Sequence, residues 1–214
     1  MNFILKLIFI SIWILPLASW AGLAAQEEEQ EYPSDQVIED SFQHLGLEGL
    51  LSIDVFRDAY RAFYETQDRK KSLLTIIDYS RPSTEKRFFV VDIESRQLKY
   101  HTYVSHGVNS GGKRAERFSN VVNSRKTSLG TFLTDDTYYG GNGYSLRLDG
   151  LTPGKNDKAR ERYIVVHGAN YATESFIRQN GYLGRSWGCP ALPPELARDI
   201  IDLIKEGSVI YAAA

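Results

Sequence analysis

Residues 163–192 read YIVVHGANYATESFIRQNGYLGRSWGCPAL. The opening Tyr163-Ile164-Val165-Val166 is aromatic and β-branched, the composition of a strand, and it delivers His167 at its end, directly before Gly168. Fewer than two dozen positions later comes Cys189, in the turn-rich run Gly184-Arg185-Ser186-Trp187-Gly188-Cys189-Pro190. A cysteine between Gly and Pro follows neither helical nor strand periodicity, which favours a placed reactive group over the alternative of a small buried hydrophobe. Loops held by a rigid sheet are where reactive groups tend to sit.

The pairing has a chemical logic. A free thiol titrates near pH ~8.5, so little of it is thiolate at neutral pH. An imidazole within hydrogen-bond reach either takes the thiol proton or holds a thiolate–imidazolium pair, and later protonates a leaving amine. A third group must fix the imidazole tautomer, and the backbone carbonyl of Gly168 can do so without an aspartate. Gly188 lets the backbone approach closely. The N–H groups of Trp187, Gly188 and Cys189 are candidate oxyanion donors, each worth ~3–4 kcal/mol in acyl-transfer enzymes.

Working outward, the flanking segments read as sheet. Residues 73–78 (LLTIID) end at the turn signal Ser80-Arg81-Pro82-Ser83, and 87–93 (RFFVVDI) is a continuous apolar run suited to a strand buried on both faces. Leu98, Tyr100, Thr102 and Val104 then alternate with polar residues, completing a hairpin in which His101 shares the polar face with Lys99 and is expected to be exposed. Further strands are expected at 129–134, 144–148, 163–167 and 209–212. Gly140-Gly141-Asn142-Gly143 is a tight turn rather than a nucleotide loop, since strand follows it, and the adjacent Asp135-Asp136 reads as turn-forming. A closing helix has Pro194 near its start, Leu196, Ile200, Leu203 and Ile204 on one face, and Gly207 as its stop. Before the strands lie two short helices. The second starts at Ser52-Ile53-Asp54 and carries the stripe Val55, Phe56, Ala59, Tyr60 and Phe63.

The N-terminus reads as a secretory signal over 1–25. Lys6 is its charged region, 7–17 (LIFISIWILPL) its apolar region, and small residues allow cleavage after Ala21, Ala24 or Ala25. Left uncleaved, the 19 uncharged residues 7–25 would just span a membrane. An acidic tail follows over 26–36, then a helical appendage over 37–72 and a catalytic domain over 73–214. The whole chain of 214 residues carries 25 basic and 27 acidic side chains, so no basic field exists for nucleic acid. One cysteine excludes an intramolecular disulfide and a thiolate-rich metal site, and the four histidines have no metal-ligand spacing, so neither cofactor nor metal is expected.

The segment 163–192 resembles the catalytic motif of the murein L,D-transpeptidase catalytic-domain family, the YkuD-like cysteine transpeptidases. In that family a His-Gly on a strand precedes Ser/Thr-x-Gly-Cys, here His167-Gly168 and Ser186-Trp187-Gly188-Cys189. Lys126-Thr127-Ser128-Leu129-Gly130-Thr131-Phe132 looks like the family's Thr-Pro-x-Gly-x-Phe, with Ser128 in place of Pro, and Val104-Ser105-His106-Gly107 looks like its preceding strand end. The run from about 73 to 212 is most similar to a branch distinct from the common form. It departs from that form in having Trp187 where a second histidine stands, in Pro190-Ala191 after the cysteine, and in a His–Cys gap long enough for a short helix over 173–180. His106 is a candidate to replace the missing imidazole.

The resemblance implies a mainly β, sandwich-type fold with short helices and a helical N-terminal appendage. It implies an exported enzyme of the periplasm or cell envelope that acts on peptidoglycan stem peptides. Cys189 is the nucleophile, His167 the base and acid, and Gly168 the tautomer anchor; Ser186, Trp187 and Gly188 shape the oxyanion and substrate site. Arg185 is either a partner for a stem carboxylate or a solvated loop arginine. The expected reaction releases D-Ala and leaves a thioester, which a second stem resolves into a cross-link. An L,D-carboxypeptidase using water, and a cell-wall-binding module without turnover, are the alternatives. A papain-like peptidase fits less well, because those enzymes place Cys before His.

Overall fold

The computed structural model describes residues 32–214. The expected leader, and the acidic stretch up to Glu31, lie outside the described residues. Helix α1 (Asp35–His44) begins within the segment read as tail, because Ser34 caps it by accepting the Val37 N–H at 3.4 Å. Helix α2 (Ile53–Glu65) starts where expected, its Ser52 hydroxyl accepting the Asp54 N–H. Phe56, Ala59, Tyr60 and Phe63 are buried along one side of it.

Eight strands form one sheet: β1 (Leu73–Asp78), β2 (Phe88–Asp92), β3 (Gln97–Thr102), β4 (Gly130–Gly140), β5 (Gly143–Gly150), β6 (Val165–Gly168), β7 (Ala191–Leu192) and β8 (Val209–Ala213). Their order is β3-β2-β1-β8-β4-β5-β6-β7, with β8 inserted parallel to β1 and antiparallel to β4. The apolar runs face two cores. Ile77, Phe88, Val90, Ile210 and Ala212 point into one, with residues of β4, β5 and β6. Their alternates Leu74, Ile76, Phe89, Val91 and Val209 point into the other, which α1 and α2 cover with Ile38, Phe42, Phe56 and Phe63.

The sheet closes on itself. Ser105, just past β3, pairs with Ala191 of β7 at the far end of the strand order, its N–H donating to the Ala191 carbonyl at 2.9 Å. Joined at its edges, the sheet wraps the first core as a sandwich. Helix α3 (Glu174–Asn180) fills the stretch expected to be helical over 173–180. Helix α4 (Pro194–Ile204) seals the first core with Ile200, Ile201 and Ile204, all fully buried and each worth ~1.5–3 kcal/mol. The helix ends at Ile204, and Gly207, at φ +102°, turns the chain into β8.

Four further expectations change. β4 is longer than 129–134, and Asp135-Asp136 is a bulge rather than a turn. The step from Thr134 to Thr137 opposes the shorter step from Leu148 to Leu146, so one extra residue is absorbed. Its carboxylates pair with Arg160 at 2.5 Å and Arg147 at 2.6 Å. β6 starts at Val165, since Tyr163 adopts a left-handed turn at φ +54°. His101 is half-buried, not exposed: its ring stacks on Phe89 at 4.4 Å, and burial lowers its pKa. The turn at Gly141-Asn142 is as expected, with Gly143 at φ +75°.

Candidate functional site

β6 and β7 run parallel, with His167 opposite Ala191, so the loop carrying Cys189 is laid down directly before the strand that flanks the histidine. Ser186 organises that loop. Its hydroxyl donates to the Cys189 carbonyl at 2.6 Å and accepts the Gly188 N–H at 3.1 Å. Gly188 sits at φ +123°, where a Cβ would lie 2.8 Å from the Lys126 carbonyl oxygen, so both conformation and space demand glycine. Of the three expected oxyanion donors, the Gly188 N–H is thus spent on Ser186. The N–H groups of Trp187 and Cys189 have no acceptor among the described residues. Ser186 shapes the loop from a buried position, while Trp187 is 70% exposed.

The Cys189 Sγ donates to the Tyr163 carbonyl at 3.5 Å. Burial raises its pKa, opposed by a backbone hydrogen bond from Val165 and by the charge of Arg162. His167 is buried too, and burial lowers its pKa against a hydrogen bond to Gly168. That bond runs from Nδ1 to the Gly168 carbonyl at 3.0 Å. A carbonyl only accepts, so Nδ1 carries the proton and Nε2 keeps its lone pair for use as a base. Both shifts favour the neutral forms, so the resting pair is thiol and imidazole rather than an ion pair. Among the described residues no hydrogen bond joins the two side chains: Sγ turns to the Tyr163 carbonyl and Nδ1 to that of Gly168. Gly168 itself is needed for packing, because a Cβ there would lie 3.0 Å from that of Ala197 on α4.

Cys189 and His167 line adjacent cavities. The Cys189 cavity, about 620 Å³, is walled by Asn109, Asn123, Arg125, Arg162, Tyr163 and Trp187. The His167 cavity, about 560 Å³, lies between Tyr144, Tyr171 and the start of α4. Asn142, at the tip of the β4–β5 hairpin, borders both.

Sequence reasoning missed the two arginines. Arg162 spends its guanidinium on the 119–128 loop, donating to the Ser119 carbonyl at 2.7 Å, the Lys126 carbonyl at 2.6 Å, the Ser124 hydroxyl at 3.1 Å and the Ser128 hydroxyl. Arg125 instead lies over the Trp187 ring at 4.2 Å. The expected Arg185 does not line the Cys189 cavity; it donates to the Gly111 carbonyl at 3.2 Å and lies over Tyr182. The only sequence cue to this wall was Asn123, of a type that tolerates the left-handed conformation it adopts.

His106 does not join the site as a second imidazole. It is fully buried, and its Nδ1 accepts a hydrogen bond from Arg87 at 2.8 Å. Burial and the Arg87 charge push its pKa down to about 4. Arg87 is itself buried and donates twice to the Val104 carbonyl and once to that of Arg81. This unit lies behind the Cys189 loop: the His106 carbonyl accepts the Ser186 N–H at 3.0 Å, and Val108 donates to the Ser186 carbonyl at 2.8 Å. Among the described residues no group of His, Cys, Asp and Glu is placed to hold a metal ion.

Compared with known proteins, residues 48–213 match the description of the L,D-transpeptidase catalytic domain. No curated protein gives a significant match. An L,D-transpeptidase from Mycobacterium smegmatis is similar at 18% identity and TM-score 0.42, covering 67% of this chain and 59% of its own. The helical cell shape determining protein Pgp2 from Campylobacter jejuni gives 12% identity and TM-score 0.43, over 66% of this chain and 47% of its own. An L,D-transpeptidase from Stackebrandtia nassauensis gives 13% and 0.40, over 86% and 84%.

Proposed function

The chain belongs to the L,D-transpeptidase catalytic-domain family, and from that premise we propose that it is an exported cysteine acyltransferase acting on peptidoglycan stem peptides. Cys189 attacks the amide carbonyl between the diamino acid and the terminal D-Ala of a tetrapeptide stem. The thiol proton passes to Nε2 of His167, and the tetrahedral oxyanion forms beside the unspent N–H groups of Trp187 and Cys189. As the C–N bond breaks, His167 returns the proton to the amine of D-Ala, leaving a thioester. The amine of a second stem attacks that thioester, His167 takes its proton, and the thiol is restored with a new amide cross-link. No described helix is long and apolar enough to cross a membrane.

One observation carries the reading: the Gly168 carbonyl holds Nδ1, which leaves Nε2 as the base on the strand beside the nucleophile loop. Two cavities meeting at Asn142 further support a reaction of two stems, the acyl donor on the cysteine side and the acceptor amine on the histidine side. The test is incubation of the protein with disaccharide-tetrapeptide and mass analysis of the products. Cross-linked dimers that have lost D-Ala are expected. Tripeptide monomers alone would replace the transpeptidase by the hydrolase, and unchanged substrate with folded, reduced protein would favour the binding module.

A further inference from the structure

The wall of the Cys189 cavity is built at a cost in backbone strain. Five residues other than glycine have positive φ among those described, and Asn123 (+62°), Arg125 (+54°) and Tyr163 (+54°) all line this one cavity. Left-handed backbone is costly for a residue that bears a side chain and persists where the surroundings impose it. Here they do. The Arg125 carbonyl accepts the Asn109 N–H at 3.2 Å, and a Cβ on Gly107 would lie 2.6 Å from the same oxygen, so the loop is clasped without slack.

The two arginines of the wall are used differently. Arg162 has spent both terminal nitrogens on carbonyls and hydroxyls of the 119–128 loop. Arg125 forms no ion pair and donates no side-chain hydrogen bond among the described residues, and its guanidinium carbon lies 4.2 Å over the ring of Trp187, two positions before Cys189. No carboxylate lines the cavity. An exposed guanidinium with its donors free and its carbon held over an aromatic ring is placed for bidentate contact with a planar anion.

We infer that Arg125, stacked on Trp187, is a carboxylate clamp that selects an acidic group of the substrate entering the Cys189 cavity. The inference rests on the proposed stem-peptide reading for the identity of that group. Two sources share the chemistry: the terminal carboxylate of the stem and the side-chain carboxylate of its diamino acid. Arg125, rather than the sequence-expected Arg185, is then the specificity residue.

The first arm of the test needs no stem peptide. Cys189 is alkylated with iodoacetate, which carries a carboxylate, and with iodoacetamide, its neutral analogue, in the wild type and in Arg125→Gln. The iodoacetate-to-iodoacetamide rate ratio is expected to fall roughly tenfold in the variant, the scale of one charge-assisted hydrogen bond. An unchanged ratio, or two rates that fall together, overturns the clamp whatever the enzyme's reaction proves to be. The second arm compares KM for tetrapeptide stems with both carboxylates free, with the terminal one amidated, and with the side-chain one amidated. Amidation of the recognised group raises the wild-type KM and leaves Arg125→Gln no further loss on that stem. Equal effects of the variant on all three stems overturn the assignment. If the wild type turns over none of them while the alkylation ratio still falls, the stem-peptide reading fails and the clamp stands.

Discussion

Arg162→Gln removes the brace between the turn before β6 and the 119–128 loop. The variant strips two carbonyls, Ser119 and Lys126, of short charged donors, while the Ser124 and Ser128 hydroxyls can rotate to other partners. At ~1–2 kcal/mol for each abandoned carbonyl, the loss is about 2–4 kcal/mol. In a domain of this size that lowers Tm by roughly 5–15 °C. The same guanidinium opposes the burial that raises the Cys189 pKa, so its removal moves the thiol higher still. Two assays read these effects: thermal unfolding, and the pH dependence of Cys189 alkylation by iodoacetamide. The expected result is a lower Tm together with an alkylation profile displaced to higher pH. A Tm within about 2 °C of wild type and an unmoved profile would show that Arg162 neither braces the loop nor acts on the thiol.

Other outcomes follow from the same geometry. Because burial lowers the His167 pKa, the acid limb of kcat/KM should have its midpoint below 6.5, and a midpoint above that value would contradict a neutral resting imidazole. His106 is held near 4 against 6.5 for the free side chain, so between those values the unfolded chain binds more protons than the native one. The associated stability, about 3 kcal/mol, is fully present above pH 6.5 and is lost as pH falls towards 4. In His106→Gln, where the amide oxygen can still accept from Arg87, this acid sensitivity of Tm should shrink; an unchanged pH dependence would place it elsewhere. Gly188→Ala forces a Cβ onto φ +123° and the Lys126 carbonyl, a strain of ~1–3 kcal/mol. The variant should lose turnover more than it loses Tm, and retained turnover would show that the loop has slack.

The strands were legible wherever one physical rule dominated. Residues 88–91 are apolar throughout because both faces of β2 are covered, and α4 showed its buried face at Ile200 and Ile204 together with its opening proline. Cys189 stood out in the sequence because it lies off the periodicity of its surroundings, and it sits in the loop directly before β7, the strand that flanks His167. The position of β8 between β1 and β4 was not legible, since partners 135 residues away in β1 and 76–82 away in β4 leave no local pattern. The bulge at Asp135-Asp136 looked like a turn because acidic pairs favour both. Arg125 and Arg162 were invisible for a plainer reason. Their roles depend on left-handed turns and on a loop folded against Gly107 and Gly188, and arginines of the same loop type, such as Arg185, face elsewhere.

The central claim is that one thiol carries an acyl group cut from a stem peptide. The most direct measurement is the intact mass of the protein after brief exposure to disaccharide-tetrapeptide, with the modified residue located by peptide mapping, in the wild type and in Cys189→Ala. The account predicts an adduct on Cys189 equal to the stem less D-Ala in the wild type and none in the variant. Cross-linking or trimming that survives in Cys189→Ala, or an adduct on any other residue, would contradict it.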